Sequence, residues 1–222
     1  MDTHGRLHVE TFIEPMFQEN GFLLWCDDSP DCWILDPGLP PQPEEITKAV
    51  GVRQLSPHSI LLTHCHPDHM GGVGPLRSSF PKLKIIAPRE EEHLLKNANA
   101  NMSAQFGFPI VIPDADRLIG PGDALSLGEL AWHVLDVAGH SPGGLAYYCP
   151  QAGVVFTGDA LFAGSIGRYD FPGSSRQRLL ENIQQHLLTL PDETVLYSGH
   201  GPASTIAHER EHNLTLQWEL DR

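Results

Sequence analysis

Residues 63–69 read Thr63-His64-Cys65-His66-Pro67-Asp68-His69, which places three imidazoles and one carboxylate within six positions. In extended chain alternate residues share a face, so His64 and His66 reach one cation while Cys65 points away. Past Pro67 the chain turns, and Asp68 and His69 are then aimed at a second point close to the first. Imidazole nitrogen and carboxylate oxygen without thiolate suit Zn, Fe or Mn, with Zn the first expectation. Two such divalent ions about 3.5–4 Å apart would share a water whose pKa falls from about 15.7 towards roughly 7. Hydroxide is then available at neutral pH, and the metals also polarise the carbonyl it attacks.

A catalytic site of this kind needs ligands from other segments, and these belong where strands end. Three candidates fit. His140 follows a strand at 130–137 in Gly139-His140-Ser141, Asp159 ends a strand at 154–157 in Gly158-Asp159, and His200 ends a strand at 194–198 in Gly199-His200-Gly201. Each stands beside glycine, which lets backbone approach a crowded site.

The elements that carry these residues follow a regular order. Runs of β-forming residues at 7–13, 22–26 and 32–35, the last closed by Asp36-Pro37-Gly38, predict an antiparallel meander. Residues 44–50 have helical character, 60–63 form a buried-type strand leading into the His-rich loop, and 70–76 begin a helix. A strand at 84–87 precedes a helix at 89–97, whose acidic start suits the positive end of a helix dipole. Residues 98–122 read as a surface excursion in which Phe106 and Phe108 serve packing rather than substrate contact. The second half repeats the rhythm with strands at 130–137, 145–149, 154–157 and 194–198, and helices at 176–188 and 205–218. Two halves, each with helices over one face of its own sheet, predict an α/β fold of the four-layer αββα sandwich type. Trp25, Trp33 and Trp132 fall in strands and are assigned to the core.

Composition bounds the rest. A chain of 222 residues, 41% hydrophobic and 19% charged, supplies one substantial core and no linker, so a single domain over 1–222 is expected. Fourteen basic against 28 acidic residues give a net charge of −14, which speaks against nucleic acid or an anionic membrane as partner. Residues 1–10 hold no apolar stretch behind a basic region, and no run approaches the roughly 18 to 20 apolar residues of a membrane span; a cytoplasmic location is expected. The four cysteines, Cys26, Cys32, Cys65 and Cys149, form no CxxC pair. Cys26 and Cys32 could face each other across a hairpin, but reduced thiols are expected.

The order His-x-His-x-Asp-His, then His, Asp and His at the ends of later strands, resembles the metallo-β-lactamase superfamily over nearly the whole chain. The resemblance implies that His64, His66 and His140 bind a first metal, that Asp68, His69 and His200 bind a second, and that Asp159 bridges both. It makes Asp68 and Asp159 the catalytic carboxylates, Asp68 also orienting the nucleophile. The stretch Gly158-Asp159-Ala160-Leu161-Phe162-Ala163-Gly164-Ser165-Ile166-Gly167-Arg168-Tyr169-Asp170-Phe171-Pro172-Gly173 is similar to the glyoxalase II branch, in its short single-domain form. That implies hydrolysis of a small thioester such as S-lactoylglutathione, with Arg168 and Tyr169 as substrate-binding residues and Arg168 contacting the anionic carrier. Two departures stand out: Asp170 occupies a position where that branch has Tyr, and its helical C-terminal glutathione-binding domain is expected to be absent. Residues 167–171 also resemble the persulfide dioxygenases, which would imply one Fe(II) on His64, His140 and Asp159 with open positions for O₂. Lactone or other ester hydrolysis is a further alternative.

Two other motifs are weighed on physical grounds. Gly139-His140-Ser141-Pro142-Gly143 matches the GxSxG elbow, but the residue after Ser must donate an oxyanion N–H and Pro142 has none. His208-Glu209-Arg210-Glu211-His212 matches HExxH, yet no His follows in residues 213–222, so it reads as a solvated helix face. His58, His93, His133 and His186 are assigned to surface or structural roles.

Overall fold

Residues 22–26 and 32–35 carry apolar side chains on both strand faces, an arrangement that requires cover on each side. The computed structural model, which describes residues 1–221, supplies that cover with a second sheet on one side and helices on the other. The first sheet holds β1 (Asp2–His4), β2 (Leu7–Ile13), β3 (Asn20–Cys26), β4 (Asp31–Leu35), β5 (Ser56–Leu61), β6 (Lys84–Pro88) and β7 (Arg117–Ile119), side by side in chain order. β1 to β4 pair antiparallel and β4 to β7 parallel. Between them run α1 (Gln42–Arg53), α2 (Pro67–Met70) and α3 (Val73–Ser79).

The second sheet is built from β8 (Ala124–Leu127), β9 (Leu130–Asp136), β10 (Leu145–Cys149) and β11 (Val154–Phe156). A small hairpin, β12 (Leu161–Phe162) with β13 (Ser165–Ile166), and α4 (Arg176–Asn182) precede its last strands, β14 (Val195–Tyr197) and β15 (Ser204–Thr205). The spatial order is β15-β14-β11-β10-β9-β8, and the chain continues into α5 (Ile206–His212) and α6 (Leu214–Leu220).

Period-two alternation sorts the core into three apolar layers. Phe22, Leu24, Trp33 and Leu35 meet Trp132, Tyr147, Phe156 and Tyr197 between the sheets. The alternate residues Leu23, Cys32 and Ile34 pack outward on Ile46, Val50, Val73 and Leu76 of α1 and α3. Ala146, Val155 and Leu196 pack outward on Leu179, Ile206 and Leu216 of α4 to α6. These layers make the αββα sandwich. Trp33 and Trp132 are buried as expected, whereas Trp25 is half-buried, stacked on His8 with the Arg53 guanidinium over its ring.

Local chemistry explains several boundaries. α1 starts with proline near its N-terminus and Glu44 and Glu45 in its first turn, and Arg53 lies in its last turn. Ser175 caps α4 by accepting the Arg178 amide. The helix expected at 89–97 is a 3₁₀ turn over Arg89–Leu94, and the one expected at 176–188 loosens from α4 into a π turn over Ile183–Leu187. The helix expected at 205–218 is two helices, because Asn213 takes an extended backbone and its side chain caps α6 through the Leu216 amide. All four cysteines are free and buried. Cys26 and Cys32 do lie on neighbouring strands, but Cys26 faces the inter-sheet layer and Cys32 the helices. No helix among the described residues is long and apolar enough to cross a membrane.

Candidate metal centre

His64 and His66 lie in the loop leaving β5, where His66 keeps an extended backbone. Pro67 then opens α2, its fixed φ suiting the first helical position, and Asp68 and His69 fall in that short turn. His140 follows β9, Asp159 follows β11 and His200 follows β14, so all three come from the second sheet. The two sheets are stitched together at this end. Leu145 N donates to Thr63 O at 2.8 Å, Tyr147 Oη to Leu62 O at 2.7 Å, and Asn20 N to Gly199 O at 2.7 Å.

All seven sequence-predicted ligand residues are thereby brought together. Three sets have ligand atoms within 4.8 Å of one another: His64, His66 and His140; Asp68, His69 and His200; and His64, His69 and Asp159, which joins the other two. Asp159 reaches His69 Nε2 at 3.4 Å with Oδ1, and His140 Nε2 at 3.5 Å and His200 Nε2 at 3.4 Å with Oδ2. Asp68 Oδ2 stands 3.5 Å from His200 Nε2. The buried atoms His64 Nε2, His69 Nε2 and Asp159 Oδ1 make no hydrogen bond. Leaving three such atoms unpaired is costly, and together they belong to the set that links the two metal positions. The donor set therefore fits divalent cations.

A surrounding layer fixes which nitrogen of each ring faces inward. His140 Nδ1 donates to Arg168 O at 2.9 Å and His200 Nδ1 to Phe17 O at 3.1 Å. His69 Nδ1 donates to Asp36 Oδ2 at 3.1 Å, and Asp36 also accepts from Thr63 N at 2.7 Å and Thr63 Oγ1 at 2.6 Å. With its hydroxyl proton committed to Asp36, Thr63 Oγ1 is free to accept from His64 Nδ1 at 3.1 Å. Each of these four rings thereby turns its Nε2 towards the cluster, where His140 Nε2 also lies 3.0 Å from His66 Nδ1. Glu91, fully buried, accepts from Cys65 N at 2.6 Å and Gly143 N at 2.8 Å, and so ties the first His loop to the loop of His140. Gly199 is required for space: a Cβ there would lie 2.6 Å from His69 Cε1 and closer still to Asp159 Oδ1.

The electrostatics differ between the two sides. Burial and neighbouring imidazoles hold His64 well below the ordinary histidine range, and burial together with His140 pushes His66 down to about 3. Burial opposes charge on His69 and His200 too, but Asp159 and Asp68 outweigh it, raising His69 well above its usual range and His200 to about 10. Burial likewise opposes charge on Asp159 and Asp68, and His69 with His200 outweighs it, so both carboxyls are lowered.

A cleft of about 470 Å³ opens over this cluster, walled by Phe17, Met102, Phe106, Phe162, Ile166 and Phe171. Phe106, expected to serve packing alone, lines it, in edge contact with Phe17. Arg168 lines it as well. Tyr169, expected as a substrate contact, packs instead against the α4–α6 layer, its hydroxyl donating to Glu219 Oε1 at 2.9 Å. The HExxH segment is only partly a solvated face. His208 and His212 are exposed, but Glu209 is fully buried and accepts from Gly164 N and Asn213 Nδ2, which anchors the β12–β13 hairpin. Sequence reasoning missed Asp36, Glu91 and Phe17. The tight turn Asp36-Pro37-Gly38 was the one available signal among them.

A two-sheet sandwich holding a His and Asp cluster where its strands end is the architecture of the metallo-hydrolase superfamily. The chain belongs to the metallo-beta-lactamase superfamily, whose model matches residues 16–200. It is 36% identical over 197 residues to the probable metallo-hydrolase YqgX of Bacillus subtilis, covering 88% of this chain and 91% of the relative. It is 33% identical over 211 residues to hydroxyacylglutathione hydrolase GloC of Haemophilus influenzae, covering 93% and 97%. Among solved structures, the BLEG-1 B3 metallo-beta-lactamase superposes with a TM-score of 0.87 at 36% identity, covering 93% of this chain and 98% of that one.

Proposed function

We propose that this chain is a dinuclear metal hydrolase that cleaves an acyl thioester, with His64, His66 and His140 holding one cation, Asp68, His69 and His200 the other, and Asp159 shared. The observation that carries the reading is the convergence of seven ligand side chains around buried nitrogen and oxygen atoms that have no other partner. The relative named hydroxyacylglutathione hydrolase supports the thioester as the bond attacked. Two bound divalent cations would supply an acidified water and Lewis-acid polarisation of the acyl carbonyl.

The protein's own groups do the rest. The Asp68 carboxylate, kept ionised beside His69 and His200, would offer its other oxygen to the attacking water and orient it towards the carbonyl carbon. The Arg168 and Phe17 carbonyls hold His140 and His200 in place, so the ligand rings need not reorganise during the reaction. The aromatic walls exclude bulk water from the acyl group. A C–O bond forms, the C–S bond breaks, and the products are a carboxylate and a thiol.

The test is thiol release from acyl thioesters by protein loaded with Zn, Fe or Mn, with metal content measured in parallel. Turnover with about two metals per chain is expected. Turnover no greater than that of the His66→Ala variant overturns the reading.

A further inference from the structure

Resting on the thioesterase reading, we propose that a second, apolar groove beside the metal cleft is the subsite for the acyl chain, so that the substrate is a thioester whose acyl group carries a hydrocarbon tail longer than that of lactate. The groove, of about 660 Å³ against about 470 Å³ for the cleft, is walled by Pro15, Met16, Leu39, Gly71, Phe108 and Ile110. Three chain segments pass from one cavity to the other. Phe17 lines the cleft and Met16 the groove; Phe106 lines the cleft and Phe108 the groove; Pro67 and Asp68 line the cleft, and Gly71, at the end of α2, the groove. The partition between the two is aromatic. Phe17 meets Phe106 edge-on at 5.3 Å and Phe108 at 6.5 Å, and Phe106 stacks on Phe108 at 6.0 Å. Because Phe17 O also accepts from His200 Nδ1, this partition is fixed to the second ligand set, and a chain that leaves the metals over these rings enters the groove.

The groove offers nothing that would recognise a charged group. Glu14 is the one charged residue among the described residues that line it, and that carboxylate is fully buried and committed to its own turn: Oε1 accepts from Met16 N, and Oε2 from Phe17 N at 2.7 Å. Met16, on the groove side, and Phe106, on the cleft side, are exposed apolar side chains, and a hydrocarbon chain lying across both would remove that surface from water. The thiol carrier has a different place. Arg168, the one Lys or Arg among the described residues lining the cleft, pairs with Asp170 at 2.9 Å at the solvent-exposed mouth. Its guanidinium lies 4.5 Å from the centre of the Phe171 ring, and Phe171 meets His66 and His140 edge-on at 5.4 and 5.5 Å. The cationic rim therefore stands beside the first ligand set and the groove beside the second, which separates a polar carrier from an apolar acyl chain.

The experiment keeps glutathione as the thiol carrier and varies only the acyl group, comparing kcat/KM of the metal-loaded protein for 2-hydroxyacyl thioesters of three, six and eight carbons. A methylene moved from water to an apolar site is worth about four-fold, so a rise of at least about ten-fold from three to eight carbons is expected, mainly through KM. Met16→Lys places a charge in the groove, and Phe108→Ala removes part of its wall. Each should cut the eight-to-three-carbon ratio by at least about five-fold. Met16 is exposed, so Met16→Lys probes the groove without burdening the fold. Phe162→Ala alters the cleft beside His200 and not the groove. A wild type that gains nothing from the longer chains, or a ratio that falls in Phe162→Ala and in neither groove variant, overturns the subsite and leaves the thioesterase reading intact. Hydrolysis of none of the three esters overturns both.

Discussion

Glu91 holds the backbone of Cys65: its Oε2 accepts the Cys65 amide at 2.6 Å, at the one position between the ligands His64 and His66. Its other oxygen accepts the Gly143 amide, three residues past His140, so one buried carboxylate spaces two ligand loops that come from different sheets. Burial pushes this carboxyl above its usual range, while the two amides and their neighbours pull it back.

Glu91→Gln replaces one of those acceptors with an NH₂ group facing an amide N–H. The variant should lose about 1–3 kcal/mol of stability, the cost of a buried donor left unpaired. If the spacing matters to the site, metal affinity falls as well, by about 10–100-fold as is usual for groups that support ligands. Denaturant unfolding of the metal-free protein and competitive metal titration separate the two effects. Lowered stability with unchanged metal affinity would show Glu91 to be a fold residue only.

Asp36→Asn is expected to strip the second metal position selectively. Asp36 Oδ2 accepts from both His69 Nδ1 and Thr63 Oγ1, and an amide NH₂ there would favour the tautomer that places the His69 proton on Nε2, facing the cation. Elemental analysis at limiting metal should fall from about two ions per chain towards one. Retention of two ions would refute the role given to Asp36.

Gly199→Ala tests whether the close approach of β14 to the ligands is obligatory. The added methyl would overlap Asp159 Oδ1 and the His69 ring, both held by buried surroundings that yield little. Activity should drop by at least about 100-fold, a misplacement of ligands by roughly 1 Å being enough. Far-UV circular dichroism should stay native, and an active variant would argue that these side chains sit elsewhere in the working enzyme.

Asp116 predicts a pH dependence remote from the metals. It accepts from Ile85 N at 2.9 Å, Arg77 Nη1 at 2.7 Å and Lys84 Nζ at 3.1 Å, which outweigh a small burial effect and lower its pKa to about 2. A depressed carboxylate stabilises the fold above its unfolded pKa of about 3.9, and that contribution fades as pH falls through 2. The Tm difference between the wild type and Asp116→Asn should be full above pH 5 and shrink steadily below pH 4. A difference that stays constant down to pH 2 would exclude the linkage.

Metal removal should lower stability. Without cations, His64 Nε2, His69 Nε2 and Asp159 Oδ1 stay buried and unpaired. Any ion that binds only the folded state adds about 2.7 kcal/mol at one hundred times its Kd. Tm measured against chelator and then against added Zn, Fe or Mn should fall and recover. An unchanged Tm would mean that these atoms hold no metal.

Much of this site was legible before any coordinates. The strands that present His140, Asp159 and His200 are apolar runs closed by glycine, and their ends fall within one or two residues of the expected positions. Asp36 passed for a turn residue because its partners Thr63 and His69 lie 27 and 33 positions further on. Glu91 had no local signal at all, since it serves amides 26 and 52 positions away. Phe106 and Tyr169 exchanged roles for a similar reason. Which aromatic ring faces the cleft depends on the packing of the 98–122 excursion and of α6, and neither has a period that reveals its buried side.

Ligand types, their order and the two-layered strand pattern all follow from local sequence. Alternation along a strand, proline at a helix start and glycine beside a ligand act within a few residues, so linear text records them. The tertiary structure alone decided which ring nitrogen faces inward, which carboxylates hold the ligands, and that Arg168 is already paired with Asp170 at the mouth of an aromatic cleft. Hydrogen bonds and ion pairs are satisfied by whatever the fold brings within about 3 Å, and across two stacked sheets those partners are set by packing rather than by spacing along the chain.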